Sequence, residues 1–194
     1  MFSKNNKSKK SPKKEVLEWA ALLAFIGIFY GLGGQIYLQR LALATGLFQP
    51  NLSSNTADKS PADFDFFLQN EQNQSFYVQD WKGKVLFINF WATWCPPCVA
   101  EMPDINRLYQ KVDKEQVVFL MISVDEDREA AKQFMEKKDF DLPLYFMNSP
   151  LPKIYDIRSI PTTYVIDSEG KIALVNQGIA QYNSSHFLDF LEAL

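Results

Sequence analysis

A largely apolar run at residues 84–91 leads through a three-residue turn into the only two cysteines of the chain, Cys95 and Cys98. The run has the length and composition of a buried strand. The next segment, residues 96–111, places Val99, Met102, Ile105, Leu108 and Tyr109 at helical spacing, and it opens with Pro96 and Pro97, which the first turn of a helix tolerates. A strand feeding a helix through a short turn restricts the fold more than any other feature of this sequence. It also puts Cys95 at a helix N-terminus, where unpaired backbone N–H groups and the positive end of the helix dipole favour thiolate over thiol. A free thiol titrates near 8.5, and such sites bring it to about 3.5–7.5.

Two cysteines separated by two residues could also be half of a zinc site. Zinc normally takes four ligands, and this chain has no third cysteine and a single histidine, His186, some 90 positions away. No metal site is therefore expected, and redox chemistry at the pair is.

Around this motif the pattern is that of an α/β domain. Short strands are expected at residues 64–68 and 75–78, buried strands at 84–91 and 117–124, and further strands at 144–146, 162–166 and 172–176. Helices are expected at 96–111, at 127–138 and from about residue 184, with a turn or short helix at 151–155. Alternation of this kind implies a central mixed, partly parallel sheet with helices on its faces.

The amino-terminal third is different. Six lysines and no acid occupy residues 1–14, so the remaining 14 basic residues face 23 acids and the rest of the chain carries about −9. An acidic body argues against nucleic acid as its partner, because a phosphate-binding surface needs clustered Lys and Arg. Between Glu18 and Arg40 lie 21 uncharged residues, 19–39, which as one helix would span roughly 31 Å at about 1.5 Å per residue. That matches a bilayer core of about 30 Å, and the one-sided lysines fit the positive-inside pattern. The expected order is a basic cytoplasmic tail (1–18), a transmembrane helix (19–39), a juxtamembrane segment and linker rich in Asn, Ser and Pro (40–61), and a globular domain (62–194) across the membrane. Ala42-Leu43-Ala44 resembles a signal-peptidase site, but the apolar run exceeds the usual 7–15 residues of a signal core, which favours an uncleaved anchor. Gly27 and Gly31 form a G-x-x-x-G that would let two such helices approach, and the oligomeric state stays open.

The block from Gly83 to Cys98, ending Trp91-Ala92-Thr93-Trp94-Cys95-Pro96-Pro97-Cys98, resembles the active-site strand and turn of the thioredoxin superfamily, and within it the membrane-anchored TlpA, ResA and DsbE group. Pro103 resembles the family's helix proline, Ile160-Pro161-Thr162-Thr163 its cis-proline loop, and residues 167–171 its next hairpin turn. The resemblance covers residues 62–194 and implies a thioredoxin-like fold and a thiol-disulfide oxidoreductase that needs no cofactor. Cys95 would be the exposed nucleophile and Cys98 the buried sulfur that resolves the mixed disulfide. Trp94, Pro96, Pro97, Ile160 and Pro161 would contact substrate, with the Ile160 backbone pairing with an incoming peptide. Trp91 fits core packing better than Trp94 does.

Glu101, three residues after Cys98, shares its helix face. The spacing suits an ordinary solvated glutamate equally well, and the resemblance adds a role in proton transfer with Cys98. Thioredoxins place a buried aspartate where this chain has Asn89, and Glu101 is a candidate to replace it. Proline at both positions between the cysteines removes N–H groups that would stabilise a thiolate, which leans the reading towards a reductant. The implied partners are disulfides of exported proteins and a transmembrane thiol reductase as electron donor, and some members of the group reduce apocytochrome c before haem attachment. Three other readings remain: a thioredoxin-fold peroxidase, a copper(I) metallochaperone using the soft thiolates, and an anchored interaction module with inert cysteines.

Overall fold

The structure, a computed structural model, describes residues 12–31, 33–46, 48–50 and 60–194. Most of the expected basic tail and residues 51–59 of the expected linker lie outside the described residues.

Two helices come first, α1 (Pro12–Gly31) and α2 (Gly34–Ala44). The single continuous helix expected over residues 19–39 is not found, because the chain bends by 76° between the two. Gly33 takes a left-handed conformation (φ 77°), and the Phe29 ring occupies the place a side chain on Gly34 would need. With Lys13, Lys14, Glu15 and Glu18 in its opening turns, α1 keeps only 13 uncharged residues before the corner, roughly 20 Å at about 1.5 Å per residue. No single described helix is long and apolar enough to cross a membrane, whereas the bent pair has the length and composition to do so. The distal end of α2 packs against the globular domain: Leu43 is buried, and the Gln181 N–H donates to the Phe48 carbonyl at 2.8 Å.

The domain itself runs β1 (Phe67–Asn70), β2 (Ser75–Tyr77), β3 (Val85–Trp91), α3 (Pro96–Tyr109), β4 (Val117–Ser123), α4 (Arg128–Lys138), β5 (Leu144–Met147), β6 (Thr162–Ile166), β7 (Ile172–Gln177) and α5 (Ser185–Glu192). A 3-10 turn at Val78–Trp81 comes after β2. One seven-stranded sheet has the order β2-β1-β5-β4-β3-β6-β7, with β3, β4 and β5 parallel and the other pairings antiparallel. The sheet is mixed, as expected.

β3 lies between β4 and β6 and every one of its residues is buried, which is why its sequence is continuously apolar except at Asn89. Its alternate side chains feed two cores. Val85, Phe87 and Trp91 join Met102, Ile105 and Leu108 of α3, Ala131 and Met135 of α4, and Phe187 and Leu191 of α5. Leu86, Ile88 and Phe90 join Phe64, Phe66, Val78 and Tyr155 on the opposite face. That second core contains no residue of α3, α4 or α5, so the sheet is flanked by helices on one face and by folded loops on the other. Phe64 and Phe66, expected in a strand, serve instead in this cover, and β1 begins only at Phe67. Residues 151–155 form a turn, closed by the Tyr155 N–H on the Pro152 carbonyl. Tyr155 then seals the face by donating its hydroxyl to the Asp63 carbonyl at 2.7 Å.

Candidate active site

Cys95 is the N-cap residue of α3, reached from β3 by residues 92–94. It is disulfide-bonded to Cys98. Pro96 and Pro97 take the first two helical positions, so the first backbone N–H that can face the cap belongs to Cys98, and it donates to Cys95 Sγ at 3.3 Å. A second contact comes from across the sheet, where the Ile160 carbonyl lies 3.7 Å from Cys95 Sγ. In the disulfide that sulfur has no proton to give, and in the thiol the same approach would accept one. The Ile160–Pro161 peptide bond is cis.

Cys95 is only 4% exposed and Cys98 fully buried. The expected contrast of an exposed and a buried sulfur is therefore nearly absent in this disulfide state, because the Ile160 carbonyl and the start of the helix close over Cys95. The open surface lies next to the pair, at its neighbours Trp94 and Ile160. Trp94, Val124, Ile157, Arg158, Ser159 and Ile160 line an open groove of about 580 Å³. Trp94 is 67% exposed on its wall, whereas Trp91 is fully buried in the core, the division expected from sequence. Pro96 and Pro97 are half-buried at the helix start. Cys95, Cys98, Trp94, Pro96, Pro97, Ile160 and Pro161 thus meet in one region.

Glu101, three residues after Cys98 on α3, is fully buried, so the solvated surface acid is ruled out. Its Oε1 accepts from Asn89 Nδ2 at 3.0 Å and its Oε2 from the Ala180 N–H at 3.1 Å. Asn89 Nδ2 also donates to Thr163 Oγ1 at 2.9 Å. Burial pushes the Glu101 carboxyl up to about 8, against the lowering effect of the two hydrogen bonds from Ala180 and Asn89. The Tyr182 phenol is pushed up as well, by burial first and by the Glu101 charge second. Asn89 and Glu101, compared in the sequence as one replacing another buried acid, are direct hydrogen-bond partners.

Sequence reasoning did not identify Ala180, Thr163 or Tyr182 as neighbours of Glu101, since they lie 79, 62 and 81 residues away and meet it only through the β3–β6 pairing and the return of the chain before α5. It also missed Asp125, whose carboxylate holds Thr93 in the turn before Cys95. Nothing in an acidic stretch after a strand marks one member as structural. His186 is exposed on α5, and among the described residues no group of three or more His, Cys, Asp or Glu is placed to hold a metal ion.

Residues 58–175 match the model of the AhpC/TSA family. The chain is 30% identical over 158 residues to the thiol-disulfide oxidoreductase ResA of Geobacillus thermodenitrificans, covering 81% of this chain and 82% of that one. It is 34% identical over 108 residues to the ResA of Bacillus thuringiensis, a match spanning 55% of this chain and only 62% of the relative's length. Among solved structures, the thiol:disulfide interchange protein of the thioredoxin family from Chlorobium tepidum superposes with a TM-score of 0.59 at 28% identity, over 70% of this chain and 98% of that one. A helix-capping disulfide beside a cis-proline loop, on a sheet of this order, agrees with each of these similarities: the chain belongs to the AhpC/TSA family, and within it to the thiol-disulfide oxidoreductases of ResA type.

Proposed function

We propose that this protein is a membrane-anchored reductase that opens disulfides of exported proteins outside the cytoplasm. The observation that carries the reading is the Cys95–Cys98 disulfide at the N-terminus of α3, with its outer sulfur against the carbonyl of Ile160, a residue that also lines an open groove. In the dithiol state the Cys95 thiolate attacks a substrate disulfide, forming a mixed disulfide and releasing one substrate thiolate. The Cys98 sulfur then attacks Cys95 Sγ, re-forming the internal disulfide and releasing the second substrate sulfur, so two electrons pass to the substrate. A peptide lying along the groove is held by its backbone against Ile160 and by its side chains against Trp94 and Val124.

Glu101 serves the buried sulfur. With its carboxyl raised to about 8, it is mostly protonated at neutral pH and can give a proton to Cys98 as an incoming donor thiol opens the internal disulfide. In the forward half-reaction the ionised form accepts that proton back.

The reductive direction is supported by the two prolines, which leave one N–H facing Cys95 Sγ. A measured potential near the about −120 mV of a strong oxidant would reverse it. Membrane attachment is supported by the lysine-flanked uncharged run and the bent helix pair. With the domain outside, the electrons would come from a separate transmembrane thiol reductase, and apocytochrome c cysteines are one class of acceptor.

The test is a Cys98→Ala variant of the full chain expressed in cells. It should accumulate mixed disulfides with exported proteins, and a cysteine-accessibility reporter should place Cys95 outside the cytoplasm. Cytoplasmic adducts alone would overturn the location. Peroxide consumption without insulin reduction would overturn the reaction in favour of a peroxidase, and stoichiometric copper(I) binding without insulin reduction in favour of a metallochaperone.

A further inference from the structure

Three hydrogen-bond donors converge on the carboxylate of Asp125, just beyond the end of β4. The Thr93 N–H donates to Oδ2 at 3.0 Å and reaches Oδ1 at 3.2 Å, the Thr93 hydroxyl donates to Oδ1 at 2.7 Å, and the Ser123 hydroxyl donates to Oδ2 at 2.8 Å. Ser123 Oγ in turn accepts from the Asp125 N–H at 3.0 Å, which pins the carboxylate to its own strand end. One rung further in, the Val124 N–H donates to the Trp91 carbonyl at 2.9 Å. The pairing of β3 with β4 therefore continues past the last strand residues and ends in a side-chain clamp on the turn that carries Cys95.

Apart from this clamp and Ala92, which is buried in the core, the side chains of that turn do little to hold it. Residues 92–94 belong to neither β3 nor α3, Thr93 is half-buried, and Trp94 stands out in solvent. The Cys95 N–H closes the turn on the Ala92 carbonyl at 3.2 Å. Beyond it, the Cys95 carbonyl accepts from the Val99 N–H at 3.0 Å and Cys95 Sγ is tied by the disulfide to Cys98; once that bond is opened, the contacts left to the sulfur are the Cys98 N–H and the Ile160 carbonyl. A carboxylate accepting three donors is far stiffer than a neutral acceptor, because charge-assisted bonds are roughly twice as strong as neutral ones. The same clamp orients Trp94 and Val124, the two neighbours of the clamped residues that wall the groove.

We propose that Asp125 is the positioning residue of the reaction: through Thr93 it fixes the turn that sets Cys95 at the helix cap and Trp94 and Val124 along the substrate groove. The inference rests on the reductase reading for its effect on turnover, but its effect on Cys95 itself does not. The carboxylate could act on the thiol in two ways with opposite signs. As a nearby negative charge it would raise the Cys95 pKa, so removing it would lower that pKa. As a clamp it keeps Cys95 Sγ in reach of the Cys98 N–H, so loosening it would raise the pKa.

The experiment measures the pH dependence of Cys95 alkylation by iodoacetamide in the full chain carrying Cys98→Ala, alone and with Asp125→Asn, Thr93→Val or Thr93→Ser. Insulin-disulfide reduction is measured for the same three changes with both cysteines present. Asp125→Asn and Thr93→Val are both expected to move the alkylation midpoint upward and to lower kcat/KM for reduction about tenfold, the scale on which misplacing a reacting group by a fraction of an ångström acts. Thr93→Ser, which keeps the hydroxyl, should stay closer to the parent than Thr93→Val in both measurements. A downward midpoint in Asp125→Asn, or midpoints unchanged in both Asp125→Asn and Thr93→Val, would overturn the assignment. Thr93→Val loses one hydroxyl and keeps its backbone N–H, so it still decides for or against the clamp if the Asp125 variant fails to fold. Absence of insulin reduction by the parent, with the midpoints shifting upward, would sink the reductase reading and leave the clamp standing.

Discussion

At the scale of single residues, the most consequential group is Glu101. Its carboxyl moves from 4.5 to about 8 on folding because full burial outweighs two good hydrogen bonds. Between those values the native state binds more protons than the unfolded state. The contribution of this group to stability is therefore fully present below about pH 4.5 and is lost as pH rises towards 8. Urea titrations of the oxidised protein at a series of pH values should show that slope, and Glu101→Gln should flatten it. An unchanged slope in the variant would mean that the carboxyl is not buried as described. The neutral replacement has its own cost, since one face of its amide must meet the N–H of Asn89 or Ala180 with a second donor.

At the scale of elements, α3 decides the chemistry, and its first turn is unusual in holding proline at both of its first two positions. Proline is tolerated there because those N–H groups have no partner within the helix, but a cap sulfur loses the donors. Pro97→Ala should restore one N–H close to Cys95 Sγ. A hydrogen bond to a charged acceptor is worth roughly 1.5–3 kcal/mol, and each pKa unit about 1.4 kcal/mol, so the thiol should titrate roughly one unit lower. The pH dependence of Cys95 alkylation reads this directly, and a shift upward would contradict it. α5 depends on a different cap, Ser184, whose Oγ accepts from the Phe187 N–H at 3.1 Å. Ser184→Ala should cost about 1 kcal/mol in urea unfolding. A loss within error of zero would mean that solvent satisfies the helix end equally well.

For the molecule as a whole, the face of the sheet under α5 is held by an aromatic group. Phe87 stacks on Phe119 and meets the edges of Tyr182 and Phe187, with ring centroids 4.6, 5.2 and 6.3 Å away. Those rings tie β3, β4, α5 and the segment before it into one core. That segment also supplies the Ala180 N–H to Glu101. Phe87→Ala should cost about 3–5 kcal/mol by urea unfolding, as large aromatic truncations in a core do. Because that loss loosens Tyr182 and its neighbours, it should also raise the rate at which the internal disulfide is reduced by dithiothreitol. A large stability loss with an unchanged reduction rate would show that core and site are uncoupled.

Most of the order of elements, the Cys95–Cys98 pair and the burial of Trp91 could be read in the sequence, because each is a local matter of period, spacing or residue type, whereas the cis-proline loop was expected only from the family resemblance. The start of α3 came from proline tolerance, and the hairpin after β6, whose turn the Lys171 N–H closes on Asp167 Oδ1, from the family resemblance. The break between α1 and α2 was not legible, since a glycine in an apolar run reads equally as span or corner until Phe29 is seen filling the space beside Gly34. Hydrophobic periodicity says that Phe64 and Phe66 are buried, but it cannot say that they cover the sheet from a loop. What only the tertiary structure decided is which distant groups share a dry interior. Glu101 is an ordinary helix glutamate until β3, β6 and the chain before α5 close around it, and Asp125 is one acid among several until the end of β4 reaches the turn before Cys95. Composition carries no record of those distances, and it is distance and desolvation that turn a carboxyl into a proton store or a clamp.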